Sequence, residues 1–195
     1  MYKLATTILI LLFLFSGCEG KEKSTTTQTK EKEEKSINSA ENKATQQAIK
    51  FNLKTIDGKE FHLTEIDNGL EFKEIKDRPI FLVFFGHRCP PCLREIPELI
   101  EISKEHKDLS IVAFEVQDLS SEQLKQFAKS KGINYNLITL ADSINFVNYI
   151  QAKASWSGSI PFLIGLNKKG KVVIIHVGGV GKEQLEIAYN SLIQE

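Results

Sequence analysis

The sequence predicts an α/β fold in which a mixed central sheet is flanked by helices and preceded by an N-terminal β-hairpin extension. Three observations predict it. From residue 80 onward, apolar runs of strand length alternate with stretches of helical periodicity. The last two apolar runs are separated only by the turn residues Asn167-Lys168-Lys169-Gly170. Ahead of the first long run, apolar and polar residues alternate on both sides of Asp57-Gly58. Strands that alternate with helices pair in parallel, whereas a tight hairpin forces antiparallel neighbours, so both pairings belong to one sheet.

In chain order, residues 1–17 read as a signal peptide: Met1-Tyr2-Lys3, an apolar stretch from Leu4 to Phe15, then Ser16-Gly17 before Cys18. That stretch is shorter than the roughly 20 residues a membrane-spanning helix needs. Small residues followed at once by cysteine resemble the lipobox of bacterial lipoproteins, with Phe15 standing where an aliphatic residue is usual. The resemblance implies lipidation of Cys18 and a membrane anchor on the extracytoplasmic (periplasmic) side. Residues 18–48 are rich in Lys, Glu, Thr, Ser, Gln and Asn, with Ile37 the one large apolar residue, and read as a polar, disordered tether. Residues 49–195 form the folded domain.

Within that domain, Phe51-Asn52-Leu53 and Glu60-Phe61-His62-Leu63 form the hairpin, and Leu70 to Ile75 reads equally as loop or short helix. Ile80 to Phe85 is a continuous apolar run, as in a central strand covered on both faces. Pro90 to His106 spaces Leu93, Ile96, Leu99, Ile100 and Ile102 as a helix does. A strand from Leu109 to Val116 follows, then a helix from Ser121 to Lys131, whose Ser120 and Gln123 make a capping box. Next come a short strand near Leu137 to Leu140, a helix from Asp142 to Gln151, strands Phe162 to Leu166 and Lys171 to Val177, and a closing helix near Lys182 to Ile193.

The chain has 195 residues, with 25 Lys+Arg against 25 Asp+Glu, a formal net charge of +0 and 42% hydrophobic residues. Those numbers fit one soluble core, and no basic stripe is present to neutralise a nucleic-acid backbone. Lipidation of Cys18 would leave two of the three cysteines, Cys89 and Cys92. A structural disulfide framework is thereby excluded. A single adjacent pair in an exported chain points to redox exchange.

Cys89-Pro90-Pro91-Cys92 sits at a strand-to-helix junction. Cys89 falls at the N-cap, where unsatisfied N–H groups and the helix dipole favour a thiolate. Pro90 suits the first helical position, and the two prolines remove two N–H donors, leaving mainly the Cys92 N–H near the Cys89 sulfur. Arg88 places a cation beside Cys89. His87 either adds to it or is a solvated loop residue. Cys89, nearer the helix end, is expected to attack, and Cys92 to resolve the mixed disulfide.

Phe51-x-Leu53, Asp57-Gly58-Lys59, the Phe84-Phe85 strand end, the CPPC motif, Arg94-Glu95-x-Pro97, Ile160-Pro161 and Gly170-Lys171-Val172 together resemble the thioredoxin fold. More narrowly, they resemble the membrane-anchored TlpA/ResA-like thiol-disulfide oxidoreductases of bacteria. The resemblance implies a thioredoxin-like domain whose Pro161 is cis beside the CPPC motif, with the Ile160 backbone pairing with an extended client. It implies that Pro97 kinks the active-site helix and that Glu95 serves the site. From spacing alone, Glu95 is either a proton partner of Cys92 or one half of a surface pair with Arg94. Thioredoxins carry a buried aspartate where this chain has Val83, and a tryptophan where it has Arg88. Trp156 either lines a client groove or packs in the core. The implied partners are exported proteins with thiols or disulfides, including apocytochrome during cytochrome c maturation, and a membrane electron donor.

Rival chemistries are narrowed by the same residues. The four histidines, His62, His87, His106 and His176, are scattered, so the CxxC lacks partners for a zinc site. Leu93 stands where c-type haem attachment needs histidine. Phe85-Gly86-His87-Arg88 does not supply the loop of a thiol peroxidase. Thiolates also suit Cu(I), so a copper chaperone without turnover is one alternative, and a dithiol oxidase another. The expectation is no metal and no cofactor beyond the redox-active Cys89–Cys92 disulfide.

Overall fold

The computed structural model describes residues 48–194. The signal peptide, Cys18 and all but the last residue of the tether lie outside the described residues. No helix among the described residues is long and apolar enough to cross a membrane.

Twelve elements follow one another: β1 (Lys50–Lys54), β2 (Glu60–Ile66), β3 (Gly69–Phe72), β4 (Ile80–Phe85), α1 (Pro90–Glu105), β5 (Ser110–Glu115), α2 (Ser121–Lys131), β6 (Asn136–Thr139), α3 (Leu140–Lys153), β7 (Phe162–Leu166), β8 (Val172–Val177) and α4 (Lys182–Ile193). The main sheet has the order β6-β5-β4-β7-β8. β4 pairs in parallel with β5 and antiparallel with β7, which makes the sheet mixed as expected.

All six residues of β4 are buried, because this strand is central and covered on both sides. Its alternation sorts the core into two layers. Ile80, Leu82 and Phe84 pack with Phe146, Val147 and Ile150 of α3 and with the small sheet. Phe81, Val83 and Phe85 face Cys92, Leu99 and Ile102 of α1, Leu124 of α2, and Leu185 and Leu192 of α4. Three helices therefore cover one face, and one helix plus a three-stranded sheet covers the other. Each large apolar side chain so buried contributes about 1.5–3 kcal/mol.

The segment from Leu70 to Ile75, expected as loop or short helix, is neither at its start, where β3 (Gly69–Phe72) is a strand. β3 pairs antiparallel with β2 in the register Leu63↔Phe72 and Glu65↔Leu70, turning the expected hairpin extension into a sheet of order β1-β2-β3. Leu70 and Phe72 are buried while Glu71 between them is exposed, the period of two that a half-covered strand requires. In the first turn, Gly58 adopts φ +84, a conformation costly for residues with a Cβ.

The helix starts follow their caps. Ser120 accepts from the Gln123 N–H while the Gln123 side chain returns to the Ser120 N–H, completing the box that starts α2. α3 begins two residues earlier than its apolar period suggests, because Thr139 Oγ1 caps it by accepting from the Asp142 N–H at 3.1 Å.

Candidate active site

The buried β4 strand ends at Phe85, and four residues later Cys89 caps α1. The loop between them is closed by the Cys89 N–H, which donates to Gly86 O at 3.2 Å. Cys89 has extended backbone angles, and its sulfur accepts from the Cys92 N–H at 3.3 Å. With Pro90 and Pro91 opening the helix, that amide is the donor the sequence leaves for the sulfur. Cys89 and Cys92 are joined by a disulfide with Cα atoms 5.2 Å apart. Both are buried, Cys89 at 7% exposure and Cys92 at 1%, so the first is the more accessible.

Across the pair, the Ile160–Pro161 bond is cis. Ile160 O stands 3.7 Å from Cys89 Sγ, so the backbone ahead of Pro161 borders the disulfide. Arg88 is exposed, and its backbone N–H donates to Gln117 Oε1 at 2.8 Å. Pro97 lies inside α1. Trp156 is a core residue: it stacks on Phe162 at 4.7 Å between centroids, lies 4.9 Å from Phe84, and donates Nε1–H to Ser159 O at 2.7 Å. Packing is thus the reading the structure favours for it.

Glu95 settles one open alternative. It is 2% exposed on the buried face of α1, while Arg94 is exposed, so the two make no surface pair. Its Oε1 has no hydrogen-bond partner among the described residues. Burial strips water from the carboxylate and pushes its pKa from 4.5 up to about 7, against the opposing pull of the Val180 backbone amide. The burying elements are remote in sequence. Pro91, Arg94, Glu95, Glu98 and the loop Gly179-Val180-Gly181 line a cleft of about 360 Å³. Burial raises the Tyr135 phenol, and the negative charge of Glu95 adds to it, which places this ring in the carboxylate's field.

Val83, at the position where thioredoxins carry an acid, is 1% exposed and shares the core layer of Cys89 and Cys92. Glu95 is therefore a buried carboxylate supplied by the helix rather than by the strand. Two neighbours escape the sequence reading. Tyr135 gives no motif, and Glu115 ends an otherwise apolar strand, yet is 0% exposed and hydrogen-bonded to His87. The described residues contain one group with metal-ligand spacing, Glu105, His106 and Glu186, and it does not include the cysteines. Lys182 already pairs with Glu105 at 2.7 Å.

Residues 44–174 match the family described as AhpC/TSA. The thiol-disulfide oxidoreductase ResA of Bacillus subtilis (strain 168) is 30% identical over 135 residues, covering 67% of this chain and 70% of its own length. The protein of the same name from Halalkalibacterium halodurans is 24% identical over 145 residues, covering 74% of each. A thioredoxin-family thiol:disulfide interchange protein from Chlorobium tepidum TLS superposes with a TM-score of 0.59 at 22% identity, over 73% of this chain and 92% of its own, which supports the thioredoxin-like fold.

Proposed function

We propose, for a chain that belongs to the AhpC/TSA family and is a thiol-disulfide oxidoreductase of the ResA type, that it reduces disulfides of exported proteins through Cys89 and Cys92. The observation that carries this reading is the Cys89 sulfur at the N-cap of α1, bonded to Cys92, with Glu95 buried one turn further along the same helix.

In the reduced protein, the Cys89 thiolate attacks one sulfur of a client disulfide. The client S–S bond breaks, a Cys89–client bond forms, and the departing client thiolate takes a proton. Glu95, poised near neutrality, accepts the Cys92 proton. The Cys92 thiolate then attacks Cys89, releasing the second client thiolate and leaving the Cys89–Cys92 disulfide. Two electrons have moved to the client. A membrane dithiol donor restores the starting state by the same exchange in reverse. An extended client segment pairs with the backbone at Ile160, beside Pro161, and the exposed Arg88 meets the client next to the attacking thiol.

The direction of electron flow is supported by the hydrogen bonding of the sulfur. Strong oxidants of this fold stabilise the reduced dithiol, which includes a strongly favoured thiolate. Here the prolines leave the Cys89 sulfur with the single Cys92 N–H as its helix donor. Apocytochrome thiols are among the exported clients such a reductant serves. Lipidation of Cys18 would hold the domain at the membrane on the extracytoplasmic side, tethered by residues 18–48, with no metal or cofactor beyond the dithiol.

Trapping tests the assignment. Cys92→Ser should accumulate Cys89-linked mixed disulfides that dithiothreitol releases, and Cys89→Ser should not; equal trapping by both would overturn it. The potential of the couple tests direction. A value close to the reducing end of the fold's range, about −270 mV, supports a reductant, and one near −120 mV would make the protein a dithiol oxidase. Stoichiometric Cu(I) binding without disulfide turnover would indicate the chaperone instead.

A further inference from the structure

The loop that delivers Cys89 is held from one side by the loop after β5. Glu115, the last residue of β5, is 0% exposed. His87 Nδ1 lies 2.8 Å from Glu115 Oε1, and the His87 backbone N–H donates to the same oxygen at 3.4 Å. The Gln117 N–H donates to Oε1 at 3.1 Å and the Leu119 N–H to Oε2 at 2.9 Å. Gln117 then takes the Arg88 N–H on its own side chain, and the Val116 N–H donates to Phe85 O at 2.9 Å. Gly86 packs so closely on the Gln117 side chain that a Cβ would collide with it. Each residue from Phe85 to Arg88 is thus held by residues 115–117.

We propose that the buried Glu115 and the half-buried His87 form an acid–imidazole dyad that positions the Cys89 loop and sets the reactivity of its thiol. The inference rests on Cys89 being the attacking thiol. A carboxylate that engages Nδ1 leaves Nε2 as the ring's acid–base nitrogen. His87 precedes Cys89 by two residues, so their Cα atoms lie within about 7 Å. A protonated imidazole near the sulfur would favour a thiolate, and an ionised carboxylate would oppose it. Arg88 and Asp118, the other ionisable residues of the two loops, make no ion pair with either group among the described residues. Removing the dyad's members singly should therefore displace the thiol in opposite directions, which a merely structural contact would not do.

The experiment compares the full chain with His87→Gln and Glu115→Gln, each reduced, following iodoacetamide alkylation of each cysteine-containing peptide against pH. His87→Gln should raise the pH midpoint for Cys89 by about half a unit, slowing alkylation about threefold below it. Glu115→Gln should lower the midpoint by a similar amount. Unchanged midpoints, or displacement of both in one direction, would overturn the dyad. His87→Gln leaves three backbone donors on Glu115, so an unchanged midpoint in that variant alone is enough to refute it should Glu115→Gln not fold. If Cys92 alkylates faster than Cys89 in the unsubstituted chain, the assignment of the attacking thiol falls; if Cys89 is the faster and the midpoints are not opposed, that assignment stands and the dyad alone falls.

Discussion

Replacing Glu95 with glutamine removes an ionisable group from the protein interior while keeping its shape. In the unfolded chain this carboxyl loses its proton near 4.5, whereas in the fold burial holds the proton until about 7. Between those values the folded state binds the extra proton, so this group's contribution to stability is whole below about 4.5 and is lost as pH rises through about 7. Each pH unit of that interval is worth about 1.4 kcal/mol, and the full interval about 3 kcal/mol. Glu95→Gln has no proton to lose and escapes the penalty. The stability of the variant relative to the parent should rise by about 3 kcal/mol between pH 4 and pH 8.5, measured by urea denaturation of the oxidised proteins at both pH values. The comparison is made across pH because the amide still buries a polar group, which changes the absolute stability at any single pH. Parallel pH profiles for the two proteins would refute the buried, proton-holding state of Glu95. On the kinetic side, resolution of the mixed disulfide at pH 7 should slow by about 10² if Glu95 takes the Cys92 proton, the lower end of what a positioned base supplies.

Two further substitutions test the scaffold. Phe84→Ala should cost about 3–5 kcal/mol in urea denaturation, because Phe84 is fully buried and touches Phe114, Trp156 and Phe162 at once; a cost below about 1 kcal/mol would contradict that packing. Ser120→Ala removes the acceptor of the Gln123 N–H and should cost about 1 kcal/mol without altering the potential of the cysteine couple.

Where local pattern and tertiary burial agree, the fold was legible. Ile80–Phe85 and Phe162–Leu166 are unbroken apolar runs bounded by turn residues, and the Ser120–Gln123 box marks the start of α2 before any packing is known. β3 was not legible because four residues carry too little period, and its identity comes from pairing with β2. The CPPC geometry followed from the helix start itself. Glu95 was decidable only in three dimensions: its spacing from Cys92 selects a helix face, but the loop around Val180, some 85 residues later, covers that face. Glu115 looks in sequence like the solvated end of a strand, since nothing local announces that residues 87, 117 and 119 bring their N–H groups to it.

The two buried glutamates show why burial alone does not assign a role. Both are under 3% exposed, but Glu115 receives four N–H groups while Glu95 keeps an oxygen without a partner among the described residues. A carboxylate gripped by four donors acts as a strut, because moving it would strand each donor away from water. Glu95, with the Val180 backbone amide as its donor and Oε1 unpartnered among the described residues, is held mainly by packing, and its proton is the part free to move. With Val83 on the strand, the proton-handling acid of the proposed cycle comes from the helix that carries Cys92. Truncation should separate the two roles: Glu115→Ala strands four N–H groups, whereas Glu95→Ala strands the Val180 amide, removes one unpartnered oxygen and opens a small cavity. The cost of the first should therefore exceed that of the second at pH 8, and the reverse order would mean that hydrogen-bond count is the wrong criterion for telling these carboxylates apart.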